Sequence, residues 1–344
     1  MNMFELKIDA EIIEAIGNYI STSENIVILA HTNPDGDAVG SSTALAYYLR
    51  RKGKNVNVIL PNGFPSFLKW LPAADEISIY EGNKEHCDSI LQKADLIFCL
   101  DFNSLSRIGA IGEVVASLPA ARILIDHHLN PDDCFDVKIS ETAACSTAEL
   151  VYRVAEAIGP FDALDRTFSE AVYAGMMTDT GNFAYASNRT DIYLIIANLM
   201  RTGLDKDIIY RRVFYNYSVN RMKLLGYVMY DKLRVFPATN SALITLTYKD
   251  MRRFCAAKGD TEGLVNMPLQ IKGIRFSCFL REEVPGKINV SLRSVDDFPC
   301  NKVAAEFFSG GGHLNASGGE VYGTMEYAVE RFKAAVAKYK ELLS

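Results

Sequence analysis

Apolar residues along this chain fall into two patterns. Short, nearly uninterrupted runs, NIVILA (25–30), NVNVIL (55–60), DLIFCL (95–100) and ARILI (121–125), are each followed by turn residues or by apolar positions at helical spacing. A run of that kind suits a strand buried on both faces, and its alternation with helical pattern predicts a parallel α/β sheet. From Ser146 to Tyr230 the pattern becomes successive helices, opening with Ser146, Thr147, Ala148 and Glu149 as a capping box. Strands return at ALITLTY (242–248), IRFSCFLRE (274–282) and KINVSLRS (287–294), and MEYAVERFKAAVAKYKELL forms a last helix. The expected architecture is α/β in two domains: a larger parallel-sheet domain over 1–187, a helical linker over 188–235, and a smaller α/β domain over 236–344.

A length of 344 residues agrees with two domains, each with its own core. Hydrophobic residues at 49% and charged residues at 23% are ordinary for a soluble protein. The formal net charge of -6 excludes nucleic-acid binding by bulk basicity, though not a local basic groove. Seven cysteines form no CxxC pair and sit mostly inside apolar runs, as reduced thiols of a cytoplasmic protein do. The N-terminal stretch MNMFELKIDAEIIEAIGNYI mixes acids with its apolar positions, which predicts an amphipathic helix and not a signal peptide. No run approaches the 18 or so apolar residues that span a bilayer, so no membrane role is expected.

Chemistry gathers where the predicted strands end. NIVILA runs into HTNPDGDAVGSS, which places His31, Asp35 and Asp37 in one loop at the start of a helix. An Asp-Gly pair there is adequate as a turn and helix cap, but a cap needs one aspartate. DLIFCL leads to Asp101, ARILI to Asp126, His127 and His128, and GMMTDTGNF carries Asp179. Any one of these has an ordinary turn or capping role. Together, at neighbouring strand ends, so many carboxylates call for cations. The donor set is oxygen and nitrogen without thiolate, which suits Mn²⁺ and accommodates Mg²⁺ or Co²⁺. The ligand count fits two ions better than one. Such a pair lowers the pKa of a shared water and clamps phosphoryl oxygens during in-line attack, the chemistry of phosphoester hydrolysis.

HTNPDGDAVGS, Asp101 with its following NSLSRIG, IDHHLNP and TDTGNF resemble the successive motifs of the DHH phosphoesterase superfamily, and GGGHLNASGG resembles the glycine-rich signature of the DHHA1 domain. The nearest resemblance is to its stand-alone NrnA-like branch, oligoribonucleases that also act on 3'-phosphoadenosine 5'-phosphate. This implies a DHH domain followed by a DHHA1 domain. It implies that His31, Asp35 and Asp101 hold one metal and that Asp37, Asp101, His127 and Asp179 hold the other, with Asp101 bridging. His128 then faces the scissile phosphate as donor or general acid, and Asp126 orients the cluster. Arg107 is a further phosphate candidate, set against the role of a solvated arginine.

In the second domain Gly310, Gly311 and Gly312 allow close approach of a ligand to the backbone, with His313 placed to meet a base or phosphate. Arg293 and Ser294, ending KINVSLRS, are candidates for anchoring a terminal phosphate, and Arg281 is another. Phe183, Tyr185, Phe276 and Phe279 are aromatic candidates for stacking on bases, set against core packing. Substrate groups on two domains select short 5'-phosphorylated, single-stranded oligonucleotides or small nucleotides, with pApA a close case. The helical linker has the alternative of serving as a homodimer interface. An inorganic pyro- or polyphosphatase of the same superfamily is the nearest alternative, and the absence of a Lys-Lys pair in the C-terminal half counts against the pyrophosphatase. Large single-strand exonucleases add domains for which this chain is too short. A non-catalytic RNA-binding module predicts lost metal ligands, which are all present.

Overall fold

The strand-and-helix alternation of the first half builds a doubly wound sheet in the computed structural model, which describes residues 6–159, 165–215, 217–257 and 259–343. Its elements are α1 (Ala10–Thr22), β1 (Asn25–Ala30), α2 (Gly36–Arg51), β2 (Asn55–Leu60), β3 (Ser78–Ile79), α3 (Lys84–Leu91), β4 (Leu96–Leu100), α4 (Ala110–Ala116), β5 (Ala121–Asp126), β6 (Val137–Ser140), α5 (Thr147–Ile158) and α6 (Arg166–Asp179). All strand pairings are parallel, in the order β3-β2-β1-β4-β5-β6. Alternate residues of β1 feed opposite cores. Ile26, Ile28 and Ala30 pack with α1, α2, α5 and α6, while Val27 and Leu29 pack with residues of α3 and α4. Two-sided burial is why these strands are continuous apolar runs.

Helices α2 and α6 approach closely through small residues. A methyl group on Gly40 would lie 2.8 Å from the Ala171 carbonyl oxygen and 2.9 Å from the Gly175 nitrogen. One on Gly175 would lie 2.6 Å from Ala148 Cβ and 3.0 Å from Asp37 Oδ1. The start of α2 and the end of α6 are thereby held together.

The chain divides into two units, Met1–Asn216 and Tyr217–Ser344. The segment 188–235, expected as a helical linker, is shared between them. Helices α7 (Thr190–Arg201) and α8 (Lys206–Phe214) bury Ile192, Ile195, Leu199, Ile209 and Val213 in the first core. Helix α9 (Val219–Tyr227) buries Leu224 in the second unit. An amphipathic helix packs wherever its apolar stripe is covered, and here each stripe belongs to one unit or the other.

The second unit continues with β7 (Leu233–Phe236), β8 (Ser241–Leu246), α10 (Tyr248–Arg253), β9 (Phe276–Val284), β10 (Lys287–Ser294), α11 (Cys300–Phe307), β11 (Gly311–Gly312), β12 (Ala316–Tyr322) and α12 (Met325–Lys338). Its sheet is mixed, ordered β11-β12-β10-β9-β8-β7, with only the β8–β9 pair parallel. One face carries α11 and α12, with Phe332 of α12, over Cys278, Leu280 and Leu292. The other carries α9 over Ile244, Leu246 and Phe279. Seven free cysteines are present, of which Cys255 is exposed. Among the described residues no helix is long and apolar enough to cross a membrane.

Candidate metal centre

In the strand order of the first sheet, growth reverses between β1 and β4, and the crevice outside the carboxyl ends of such a strand pair is where open α/β sheets bind ligands. His31 is the residue after β1, Asp101 the residue after β4, and Asp126 the last of β5, with His127 and His128 next. Asp35 caps α2, its Oδ1 accepting the N–H groups of Asp37 and Ala38. Asp179 is the last residue of α6, not part of the following turn.

Asp101 lies at the middle of the group and is 2% exposed. Its backbone is left-handed at φ 63°, a conformation that costs a non-glycine residue about 1 to 3 kcal/mol and tends to persist at functional sites. Each carboxylate oxygen faces a different imidazole: Oδ2 is 3.4 Å from His31 Nε2 and Oδ1 is 3.5 Å from His127 Nε2. His31 Nε2 also lies 3.9 Å from Asp35 Oδ1, and His127 Nε2 lies 3.5 Å from Asp179 Oδ2. Donor atoms of His31, Asp35 and Asp101 form one group within 4.8 Å, and those of Asp37, His127 and Asp179 form a second. Asp101, His127 and His128 form a third.

The protonation pattern fits metal binding. His31 Nδ1–H donates to the Thr32 carbonyl at 2.9 Å and His127 Nδ1–H to the Ala144 carbonyl at 3.4 Å, so in each neutral ring the Nε2 lone pair points into the cluster. Burial penalises the His31 imidazolium, but Asp101 beside it, with Asp35 and the Thr32 carbonyl, outweighs this and carries the ring up to about 9. Burial likewise opposes charge on His127, and Asp101, Asp179 and Asp37 override it upward. Burial also opposes ionisation of Asp101, yet His127 and His31 hold it well below the usual carboxylate range. Asp37 is pushed well up by burial and by Asp101 and Asp179. Asp179 rises to about 7 through burial, with Asp101 and Asp35 working against the pull of His127 and His128. Without a cation, protons neutralise this cluster. Divalent ions suit the same oxygen and nitrogen atoms.

Asp126 is fully buried and takes two hydrogen bonds from His128, from its backbone N–H at 3.1 Å and from Nδ1–H at 2.7 Å. Arg107 is exposed, and its backbone carbonyl accepts the Thr32 N–H at 2.8 Å, fastening the loop after β4 to the loop after β1.

Several supporting groups carry no signal in the sequence. Thr147 donates its hydroxyl to Asp101 Oδ1 at 3.1 Å, and the Thr147 and Ala148 N–H groups bond both oxygens of Asp37 at 2.6 and 2.9 Å. The α5 N-terminus therefore holds two of the carboxylates. The capping box at its start is only half formed. Ser146 accepts the Glu149 N–H at 3.1 Å, but Glu149 reaches the Cys145 N–H at 2.7 Å, one residue further back. Glu149 also pairs with Arg153 and Arg189, which both pair with Asp191, and Arg189 donates to the Ala143 carbonyl at 2.7 Å. This buried ion cluster grips the loop that supplies the Ala144 carbonyl to His127.

In the second unit, Arg293 pairs in register with Ala316, and the His313 N–H bonds the Ala316 carbonyl at 2.7 Å, so both candidates share one end of the sheet. His313 and Gly311 are exposed. The Ser294 hydroxyl is spent internally, donating to the Phe298 carbonyl at 2.7 Å and accepting from Asn315 at 2.9 Å. Gly310 and Gly312 are needed by the hairpin itself: a methyl group would meet the Gly318 carbonyl at 1.9 Å or the Ala316 carbonyl at 2.6 Å. At Gly311 nothing lies within 4 Å, so its backbone alone of the three faces open space. Of the aromatic candidates, Phe276 and Phe279 are core, Phe183 packs on Tyr173, and Tyr185 is exposed.

Family models described as "DHH family, N-terminal domain" and "DHHA1 domain" match residues 25–176 and 244–344. The chain is similar to a probable bifunctional oligoribonuclease and PAP phosphatase NrnA of Streptococcus mutans, 26% identical over 89% of this chain and 93% of that one. It is similar to the bifunctional oligoribonuclease and PAP phosphatase NrnA of Bacillus subtilis, at 27% over 88% and 91%. Among solved structures, an exopolyphosphatase-related protein from Bacteroides fragilis superposes with a TM-score of 0.96 at 49% identity, covering 99% of each chain. RecJ of Thermus thermophilus in complex with Mn²⁺ superposes at 0.58 with 12% identity, over 99% of this chain and 56% of that one, a likeness of fold.

Proposed function

This chain belongs to the DHH family and ends in a DHHA1 domain, and on that premise we propose that it is a metal-dependent phosphoesterase hydrolysing short 5'-phosphorylated oligonucleotides such as pApA, and 3'-phosphoadenosine 5'-phosphate. The observation that carries the reading is Asp101, buried at the sheet's switch point with each oxygen turned to a different histidine. His31, Asp35 and Asp101 would hold one ion, and Asp37, Asp101, His127 and Asp179 the other, with Mn²⁺ the first candidate and Mg²⁺ or Co²⁺ behind it. When bound, such ions supply a lowered water pKa and neutralise charge on the phosphoryl oxygens.

The chain's own side chains set the rest. Asp126 fixes the His128 ring through Nδ1, which leaves Nε2 as the nitrogen that meets the scissile phosphate or protonates the leaving oxygen. Arg293, His313 and the Gly311 backbone bind substrate, while Gly312 serves the hairpin that presents Gly311 and His313, and Arg107 is a further phosphate contact. The protein acts in the cytoplasm. The name of the Bacteroides fragilis relative favours a second reading, hydrolysis of inorganic polyphosphate.

One assay separates them: purified protein, stripped with chelator and reloaded with Mn²⁺, Mg²⁺ or Co²⁺, offered pApA, longer 5'-phosphorylated RNA, 3'-phosphoadenosine 5'-phosphate, pyrophosphate and polyphosphate. Fast AMP release from pApA that vanishes with chelator is expected. Turnover of pyrophosphate or polyphosphate alone would overturn the substrate assignment.

A further inference from the structure

In the second unit Arg221 and Arg281 are withdrawn from solvent, yet among the described residues neither has a carboxylate partner. Arg221, in the first turn of α9, is 8% exposed. Its guanidinium stacks 3.7 Å over the Tyr217 ring, Nη2 donates to the Glu262 carbonyl at 3.2 Å, and buried Nε meets no acceptor among the described residues. Arg281, on β9, is half-buried, and Nη1 donates to the neutral Thr261 hydroxyl at 3.2 Å. No carboxylate among the described residues pairs with either. The two guanidinium groups converge on consecutive residues, Thr261 and Glu262.

A buried cation without a counter-charge is expensive, and proteins ordinarily pair it. This chain has acids in excess, with a net charge of -6, and still leaves Arg221 unpaired. Two planar forks at one turn match a ligand with two negative charges and several acceptor oxygens, which favours a phosphate monoester over a single carboxylate. The position is separate from the glycine-rich end of the sheet. Arg281 pairs with Asn289 and Arg293 with Ser277, which puts both arginines on one sheet face, four residues or about 13 Å apart along the strand.

We propose that Arg221 and Arg281 form an oxyanion site for a phosphate group, free or carried on a nucleotide, distinct from the Arg293 and His313 end. The inference needs no catalysis, so it can stand if the proposed hydrolysis fails. The experiment uses the full chain in excess chelator, titrated by calorimetry with inorganic phosphate, AMP and acetate. Saturable binding of phosphate or AMP but not acetate is expected, with AMP tighter if the phosphate is a nucleotide's. Arg281→Gln should weaken that binding about tenfold or more. Arg221→Met should abolish it while leaving the melting temperature in phosphate-free buffer unchanged or higher, because it removes an unpaired buried charge. Binding that survives Arg281→Gln, or that is lost only in Arg293→Ala, overturns the proposal. So does an Arg221→Met protein that melts lower without phosphate, which would make Arg221 a structural residue.

Discussion

Asp101 and His128 lie in one cluster but have different work. Asp101 faces both half-sites and His128 neither ligates by the proposed scheme nor bridges. Asp101→Ala should therefore abolish hydrolysis and metal binding together, while His128→Ala keeps metal binding and loses about 10² to 10⁴ in kcat. Equal residual rates in two folded variants would contradict these roles. The metal-free protein should also show a defined pH dependence. His31 is raised from 6.5 to about 9 in the folded chain, so its contribution to stability is full below pH 6.5 and lost as pH rises toward 9. Asp179, raised to about 7, loses its contribution earlier, between about 4 and 7. Calorimetric melting in chelator should thus fall from pH 6 to 9, while the increment given by Mn²⁺ grows, since metal displaces the protons. A flat increment would count against ligation by these groups. Most of the candidate ligands were legible because they follow a strand run or open a helix, and Asp179, at the end of α6, because it stands in the TDTG signal that closes that helix. Thr147 and the Ala144 carbonyl were not, because a backbone carbonyl has no residue identity and a threonine after an N-cap is unremarked in any sequence.

The element scale decides how far apart those ligands sit. Parallel strands were legible as continuous apolar runs, and β10 and β2 agree with their runs to the residue. Strands β3, β6, β7, β11 and β12 were missed, β3 and β11 being only two residues long. β6 and β7 have four residues each, and β12 contains Gly318 and Gly319, residues poor in strand propensity that pair with Ser291 and Val290. Gly319 is there because a methyl group would meet the Phe308 carbonyl at 2.2 Å. The same crowding makes α2 and α6 testable. Gly175→Ala sets a methyl 2.6 Å from Ala148 Cβ and 3.0 Å from Asp37 Oδ1, and should destabilise by about 1 to 3 kcal/mol and weaken metal binding. Gly17→Ala in α1 meets nothing within 4 Å, and should stabilise by about 0.5 to 1 kcal/mol with activity unchanged. Denaturant titrations of the pair, with opposite signs expected, check that close helix approach matters and not glycine content.

Across the whole molecule, the two units carry different kinds of chemistry. The first gathers acids and imidazoles at a sheet edge, whereas the second gathers Arg293, His313 and an open glycine backbone at the end of its sheet. The substrate should respond to these separately. Loss of a group that only holds the substrate raises KM and leaves kcat, because ground state and transition state lose the same contact. By the proposed assignment Arg293→Ala removes a charge-assisted phosphate contact of about 1.5 to 3 kcal/mol, and should raise KM for pApA by about 10- to 100-fold. A small chromogenic phosphodiester that engages only the metal ligands and His128 should be turned over by the same variant at the wild-type rate. Gly311→Ala is the companion test, since a methyl there meets no protein atom and can disturb only a ligand. If both variants slow the chromogenic ester as much as pApA, the second unit acts on folding or on the metal centre. A KM effect confined to the dinucleotide assigns the second unit to substrate binding.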